Sequence, residues 1–223
     1  MNLQITVISL LSILAGYFFG SVNFAIPITQ MVLGKDIRTL GNHNPGTSNV
    51  LREVGPLWGV LVGFLDGMKG LLPILILRLV YFKGDDGFDF FILYLTGFAA
   101  VLGHCKSIFM KFKGGGGIGT MLGVSLFFVP VEFLFSMFIG GLIVLIFFKN
   151  SQFRFGQKTP IFFVTLTPFI TLIDSLLIDI PLFAHISIGG HTWGTIAGAF
   201  VMSVGLLSLN LKFLTSKSKK REA

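Results

Sequence analysis

Charged side chains are scarce in this sequence. Asp, Glu, Lys and Arg together make up 12% of its 223 residues, whereas hydrophobic residues make up 53%. Soluble domains carry about 25% charged residues, so this chain has too few polar groups to cover a water-soluble globule. The same scarcity excludes a disordered chain and a surface built to bind nucleic acid. Most of the outer surface must therefore face lipid.

Cysteine is almost absent as well. The single Cys105 cannot form an intrachain disulfide, which excludes a disulfide-stabilised scaffold. The sequence also contains no His, Cys and Asp cluster with metal-ligand spacing and no Gly-x-Ser-x-Gly nucleophile turn. We therefore predict neither a metal site nor a serine-hydrolase site.

Long uncharged runs divide the chain into segments of about the length that crosses a bilayer, which is about 20 apolar residues. We predict an all-α, polytopic integral membrane protein with seven transmembrane helices, near residues 4–31, 57–81, 89–105, 116–130, 132–149, 160–179 and 186–210. The first helix is expected to remain in the mature protein, since it lacks the basic start of a signal peptide and is too long for one. Length alone allows the fourth and fifth helices to be one long broken helix.

The distribution of basic residues favours seven helices over six. With seven, the loops 34–55, 103–117 and 149–158 and the C-terminal tail share one face and hold 14 of the 17 Lys and Arg residues. The positive-inside rule then places the N-terminus outside and the C-terminus in the cytoplasm. We predict one transmembrane domain over residues 1–211 and a basic cytoplasmic tail over 212–223 that can contact anionic lipids.

The first basic loop, residues 34–52, has the composition of an anion site. It contains Lys35, Arg38 and Arg52 together with three Asn and three Gly residues. Backbone N–H groups in Gly and Asn turns form concave anion nests, and a guanidinium group binds phosphate through two parallel hydrogen bonds. A phosphate site is therefore the functional interpretation. The alternative is that these residues only form turns and follow the charge rule for topology.

The second basic loop, residues 103–120, carries four successive glycines directly before a predicted helix. Gly114 to Gly117 can present unhindered backbone N–H groups at the helix N-terminus, where the dipole favours an anion. The Gly-Lys-Ser/Thr ending of a Walker loop is missing. A hinge or a close helix crossing is the alternative interpretation. We expect both loops to line one cavity, with Arg52 and Lys113 converging on one anion.

Two opposite charges lie inside the second predicted helix. Asp66 and Lys69 are three residues apart and so share one face. A charge in the bilayer core is costly unless it is paired or hydrated. We predict an ion pair that points into the polar cavity, or alternatively one with a purely structural role.

Several motifs resemble the bacterial acyl-phosphate:glycerol-3-phosphate acyltransferase family. The resemblance covers residues 16 to about 123 and consists of Gly20-Ser21, Asp36-Ile37-Arg38, Gly41, Asn44-Pro45-Gly46, Asn49-Val50-Leu51-Arg52, the segment from Asp66 to Pro73 and the segment from His104 to Thr120. It implies a seven-helix inner-membrane protein with a cytoplasmic active site. Such a protein transfers a fatty acyl group from acyl phosphate, supplied by a soluble acyl-phosphate synthase, to the sn-1 hydroxyl of glycerol 3-phosphate. The product is lysophosphatidate for phospholipid synthesis.

The resemblance also implies roles for single residues, without a metal or an organic cofactor. His104 is the candidate catalytic base, and substrate phosphate is the alternative base that takes the hydroxyl proton. The residues implied to bind substrate phosphate are Arg38, Asn42, Asn49, Arg52, Lys113, Gly114, Gly115 and Gly117. Supporting roles fall to Ser21, Asp66, Lys69 and Asn210. Membrane lipids are expected partners, and nucleic acids are not.

The sequence departs from the family pattern in each of its three motifs. Asn42 replaces a phosphate-binding serine, Gly116 replaces a phosphate-binding lysine, and the third motif is reduced to Asn210 followed by Lys212. Lys106 and Lys111 are candidates to replace the missing charge. The alternatives to the acyltransferase are a weakened or inactive relative that binds phosphorylated glycerol or lipid, and a small transporter of phosphorylated solutes.

Overall fold

The computed structural model describes residues 3–84, 86–148, 155–176 and 192–215, which are helical apart from short connections. The helices in chain order are α1 (Leu3–Ser21), α2 (Ala25–Leu33), α3 (Thr47–Glu53), α4 (Pro56–Val80), α5 (Gly87–Cys105), α6 (Ile118–Phe128), α7 (Pro130–Phe147), α8 (Phe155–Leu176) and α9 (Trp193–Thr215). Short 3₁₀ turns at Ile37–Thr39 and Ile108–Met110 lie in the two basic loops. The prediction of an all-α protein is confirmed.

Six stretches of the described chain are long and apolar enough to cross a membrane. They are Leu3–Leu33, Pro56–Val80, Gly87–Met110, Pro130–Phe147, Thr159–Leu176 and Trp193–Asn210. α6 is apolar but has only 11 residues, which make a helix of about 16 Å. Val129 separates α6 from α7, so the predicted segments 116–130 and 132–149 are two helices.

The predicted first helix, 4–31, is wrong as a single helix. α1 ends at Ser21 and α2 begins at Ala25. A backbone group without a partner is costly in an apolar environment. At this break the carbonyl of Val22 accepts a hydrogen bond from Lys69 Nζ at 2.7 Å, and Asn23 Oδ1 accepts one from the Ile26 N–H at 3.0 Å. Polar partners therefore stabilise a break that a hydropathy profile does not register.

The last two predicted helices differ from the structure in their bounds. α8 begins at Phe155, before the predicted start at residue 160, and α9 continues past residue 210 to Thr215. The predicted end of the sixth helix and start of the seventh fall within residues 177–191, which lie outside the described residues. The same holds for residues 149–154 of the third basic loop and for residues 216–223 of the tail.

Glycines allow the helices to approach closely. α1 packs on α5 at Gly20, where a Cβ atom would overlap the backbone of Ala100. α4 packs on α6 at Gly123, where a Cβ atom would overlap the carbonyl of Gly67. Small residues at such crossings bring helix backbones into contact inside a membrane. α5 also packs on α9, and α7 on α8.

Apolar side chains fill the interior and also cover much of the outside. The rings of Tyr94 and Phe128 stack in the core with their centroids 4.2 Å apart. Large apolar side chains such as Leu57, Ile146 and Phe147 are exposed. Contiguous exposed apolar surface of this kind is unusual for a soluble monomer and fits contact with lipid.

A second, smaller hydrophobic core packs the first basic loop against α2, α3 and α4. Ala25, Ile37, Val50 and Val62 are fully buried against one another. They come from α2, the loop, α3 and α4 in turn. The loop is therefore a folded part of the protein and lies on α4.

Candidate active site

One cavity of about 1470 Å³ lies between the two basic loops and the last helix. Most predicted site residues line it, namely Arg38, Asn42, Asn49, Arg52, Asp66, His104, Lys113, Gly114, Gly115, Gly117 and Asn210. The prediction that both loops line one cavity is confirmed. The predicted supporting residues Ser21 and Lys69 are not among the residues that line it.

Five exposed basic side chains line the cavity. They come from both loops: Arg38, Arg52, Lys106, Lys111 and Lys113. Among the described lining residues the acidic one is Asp66, which is buried. A cleft lined by charges of one sign raises the local concentration of ligands of opposite sign. The cavity therefore favours an anion.

The two arginines of the first loop have different partners. Arg38 donates from Nε and Nη2 to the carboxylate of Asp36, with 2.6 Å between Nη2 and Oδ2. This hydrogen bonding lowers the pKa of the Asp36 carboxyl and raises the pKa of Arg38. Arg52 donates from Nη1 to the neutral hydroxyl of Ser48 at 2.8 Å. Arg52 is therefore the arginine whose charge is more available to a ligand.

Asn49 stabilises the first basic loop through three hydrogen bonds of its side chain. Its side chain is 1% exposed. Oδ1 accepts a hydrogen bond from the Asn42 N–H at 3.2 Å, while Nδ2 donates to the carbonyls of Ile37 and Leu40 at 3.3 and 3.0 Å. Asn49 thus shapes the turn that presents Asn42 to the cavity, and its predicted contact with phosphate stays a prediction.

The second loop is fastened to the end of α1. Tyr17 Oη donates to the Lys106 carbonyl at 2.7 Å, and the buried Ser107 Oγ donates to the Ser21 carbonyl at 2.7 Å. Ser21 therefore supports the loop from behind. Sequence reasoning missed Tyr17 and Ser107, because their partners are 89 and 86 residues away along the chain and no local pattern connects them.

The predicted row of free glycine N–H groups is wrong for two of the four glycines. Gly114 and Gly115 donate their N–H groups to the carbonyls of Cys105 and His104, each at 3.0 Å. A Cβ atom on Gly115 would overlap Nε2 of His104. A close approach of two chain segments, the alternative interpretation, explains glycine at both positions.

The other two glycines differ from each other. Gly117 has a φ of +83°, and a Cβ atom there would lie 2.7 Å from Cys105 Sγ. Gly116 lies outside the left-handed region, and the nearest atoms to an added Cβ are Asn210 Oδ1 at 3.8 Å and Asn44 Nδ2 at 3.9 Å. The Gly116 carbonyl accepts a hydrogen bond from Asn210 Nδ2 at 3.0 Å. Of these four glycines, Gly116 is therefore the one with space for a side chain.

Asp66, His104 and Lys69 form a buried group beneath the cations. Asp66 Oδ1 lies 2.8 Å from Lys69 Nζ and 3.5 Å from His104 Nδ1, and the three side chains are at most 3% exposed. The predicted ion pair is confirmed. Among the described residues, neither Asp66 Oδ1 nor His104 Nδ1 has an aligned hydrogen bond, so these are close electrostatic contacts. Asp66 lines the cavity, whereas Lys69 donates to the Val22 carbonyl and does not line it. The prediction that the pair points into the cavity is therefore confirmed for Asp66 and wrong for Lys69.

Apolar side chains also line the cavity. They include Val60, Phe64, Leu122, Ile161, Val164 and Leu206. Val60 and Phe64, both on α4, are exposed. An amphiphile with an anionic head and an apolar chain matches this mixed lining. Within the described residues, no group of three or more His, Cys, Asp or Glu side chains is placed to hold a metal ion.

Comparison with known proteins points to one family. The family model described as Glycerol-3-phosphate acyltransferase matches residues 10–204. A glycerol-3-phosphate acyltransferase of Acholeplasma laidlawii is 34% identical over 187 residues, covering 81% of this chain and 78% of that protein. The one from Aquifex aeolicus is 40% identical over 131 residues, covering 59% and 65%. The one from Mycoplasma mycoides is 38% identical over 125 residues, covering 56% and 48%, so the match spans about half of that relative.

Solved structures give the same result. The chain is similar to the crystal structure of PlsY, an integral membrane glycerol 3-phosphate acyltransferase, in its glycerol 3-phosphate form. The TM-score is 0.64 and the identity 28%, and the similarity covers 92% of this chain and 90% of that one. For the lysophosphatidic acid form of PlsY the TM-score is 0.63 and the identity 27%, with 93% and 92% covered.

Proposed function

The chain belongs to the glycerol-3-phosphate acyltransferase family, and from this membership we propose that it transfers a fatty acyl group from acyl phosphate to the sn-1 hydroxyl of glycerol 3-phosphate. The products are lysophosphatidate and inorganic phosphate. The family match favours this enzyme over a non-catalytic relative or a transporter of phosphorylated solutes.

The observation that carries the proposal is the mixed lining of one cavity by cations and apolar side chains. Both substrates contain phosphate, and cations of two loops line the cavity. The acyl donor also has an apolar chain, and apolar side chains of several helices line the same cavity. His104 lines the same cavity, where a hydroxyl and a carbonyl carbon would meet.

The proposed reaction needs little activation by the protein. Acyl phosphate is a mixed anhydride, so the site has to bring the substrates together and stabilise the charge that develops on oxygen. The glycerol oxygen bonds to the acyl carbon, and the bond from that carbon to the phosphate oxygen breaks. His104 Nε2 takes the hydroxyl proton and passes it to the departing phosphate. Asp66, 3.5 Å from Nδ1, stabilises the imidazolium formed in between.

The cations of the two loops hold substrate phosphate in this proposal. Arg52 and Lys113 come from different loops, so a phosphate between them would join the loops. Lys106 and Lys111 line the same cavity, which supports them as replacements for the charge missing at Gly116.

We also propose seven membrane crossings, with α6 as one of them. Gly116 lies two residues before α6 and Asn210 lies near the end of α9, yet the two are hydrogen-bonded at 3.0 Å. Four helices, α6 to α9, lie between these residues. An even number of crossings returns the chain to the face where it started, whereas three crossings would leave it on the opposite face. The short α6 therefore counts as a crossing.

The protein is an integral membrane protein, as its apolar helices and the PlsY structures indicate. We place it in the inner membrane with the cavity and C-terminus on the cytoplasmic side and the N-terminus outside, because the basic loops line the cavity. The transmembrane domain then covers residues 1–211 and the basic tail 212–223, next to membrane lipids. A soluble acyl-phosphate synthase would supply the donor from the same side.

The test is acyl transfer by the purified protein in nanodiscs. Acyl phosphate and radiolabelled glycerol 3-phosphate are supplied, and labelled lysophosphatidate and one phosphate per ester are expected. Acyl-CoA, offered in a parallel reaction, distinguishes the donor. Absence of ester with either donor would contradict the proposal, and binding of glycerol 3-phosphate without transfer would favour the inactive relative.

A further inference from the structure

Three consecutive residues at the break between α1 and α2 each hold a different part of the candidate active site. The contacts are the Ser21 carbonyl with Ser107 Oγ at 2.7 Å, the Val22 carbonyl with Lys69 Nζ at 2.7 Å, and Asn23 Nδ2 with the Pro45 carbonyl at 2.8 Å. Ser107 belongs to the second loop, Lys69 to α4 and Pro45 to the first loop. The break therefore contacts both basic loops and α4.

The contact with Lys69 depends on the break. In a continuous helix the carbonyl of Val22 would accept the N–H of the residue four positions later. Because the helix is interrupted here, this carbonyl is available to Lys69 instead. The Lys69 side chain is 1% exposed, so its charge relies on this carbonyl and on Asp66.

Lys69 in turn fixes the position of Asp66. Its Nζ lies 2.8 Å from Asp66 Oδ1, and the same oxygen lies 3.5 Å from His104 Nδ1. Thr47 Oγ1, in the first turn of α3, is 3.4 Å from the other carboxylate oxygen of Asp66. A displacement of Lys69 would therefore move the carboxylate that faces His104.

Building on the proposed acyl transfer, we propose that the break between α1 and α2 is a positioning element for the active site. In this element, Lys69 is the positioning residue for Asp66 and, through Asp66, for His104. Asn23 is the positioning residue for the first loop, which contains Arg52. Replacements of Lys69 and Asn23 should therefore affect different kinetic parameters, since His104 acts in the chemical step and Arg52 binds substrate.

Replacement of Lys69 by Met, which has a similar length and no charge, is expected to lower kcat about ten- to a hundredfold, the effect of misplacing a catalytic group. KM for glycerol 3-phosphate should change less than about twofold, because the cations of the loops remain. Asn23→Ser keeps a side chain that caps α2 but is too short to reach Pro45. This variant is expected to raise KM several-fold and to leave kcat nearly unchanged.

Arg78→Met is the matched control for Lys69→Met. Arg78 is on the same helix and donates to the carbonyls of Phe82 and Gly84, away from the cavity. Its replacement should leave kcat and KM unchanged. The double variant Lys69→Met/Asp66→Asn covers the case in which Lys69→Met does not fold, because it leaves no unpaired buried charge. It should be more stable than Lys69→Met and still have a low kcat.

A readout independent of turnover comes from NMR of histidine labelled with ¹⁵N, with the His104 signal assigned by its loss in His104→Gln. Its chemical shifts should change in Lys69→Met and stay as in the wild type in Arg78→Met. An unchanged His104 signal overturns the proposal, whether or not the protein is active. Wild-type kcat in Lys69→Met, or in the double variant, overturns it as well. An inactive wild type contradicts the proposed function, and the NMR comparison then decides the positioning role alone.

Discussion

Replacement of Gly116 by lysine is expected to strengthen the binding of substrate phosphate. Gly114, Gly115 and Gly117 of the second basic loop have no space for a side chain, whereas Gly116 does. The nearest atoms to an added Cβ are 3.8 and 3.9 Å away, and the backbone is outside the left-handed region. The new side chain would start between Asn44 and Asn210, which both line the cavity. The charge would therefore be added where the proposal places phosphate.

The size of the effect follows from one new charged contact. A hydrogen bond to a charged group contributes about 1.5–3 kcal/mol. Ordering a long side chain costs about 0.5–1.5 kcal/mol. With the middle of each range, the net gain is about 1.25 kcal/mol, which corresponds to a roughly eightfold lower KM for glycerol 3-phosphate or acyl phosphate. Salt should reduce the gain, because the cavity is open to solvent.

The assay compares the wild type, Gly116→Lys and Gly116→Met side by side, with thermal stability measured on each. Met has a similar length without the charge, so it separates filling of the space from electrostatics. Gly115→Ala serves as the opposite case, since its methyl group would overlap His104 Nε2 and should lower kcat. Equal KM values for stable Lys and Met variants would refute the reasoning about this position.

Further predictions concern the first loop and the topology. Arg52→Ala should reduce kcat/KM at least about tenfold, because it removes a charged phosphate contact; wild-type kinetics would show that Arg52 does not bind substrate. Asn49→Leu should lower the thermal unfolding temperature, since the loop loses the three hydrogen bonds of this side chain; a loss of about 1–3 kcal/mol is expected, and an unchanged melting curve would contradict it. Cysteines introduced at Asn42 and Asp86 should react with impermeant reagents from opposite sides of the membrane, with buried Cys105 protected; labelling of both from one side would refute the topology.

The sequence alone determined the class of the protein, the two basic loops and the family. These depend on composition and on short motifs, which act locally. A long apolar run lies in the bilayer because its side chains are more stable in lipid than in water. It forms a helix there because its backbone N–H and C=O groups must hydrogen-bond to each other. The Asp66–Lys69 pair was predictable for the same reason, since residues three apart on a helix are neighbours and buried charges need partners.

The tertiary structure decided the details that depend on distant residues. The break in the predicted helix 4–31 is stabilised by Lys69, which lies 47 residues after Val22 and donates to its carbonyl. Asn210 belongs to the site because it meets Gly116, 94 residues earlier. The four consecutive glycines look alike in sequence, yet three lie against the end of α5 and one has space for a side chain. Each outcome depends on which groups packing brings within a few ångströms, and that distance is not a property of the local sequence.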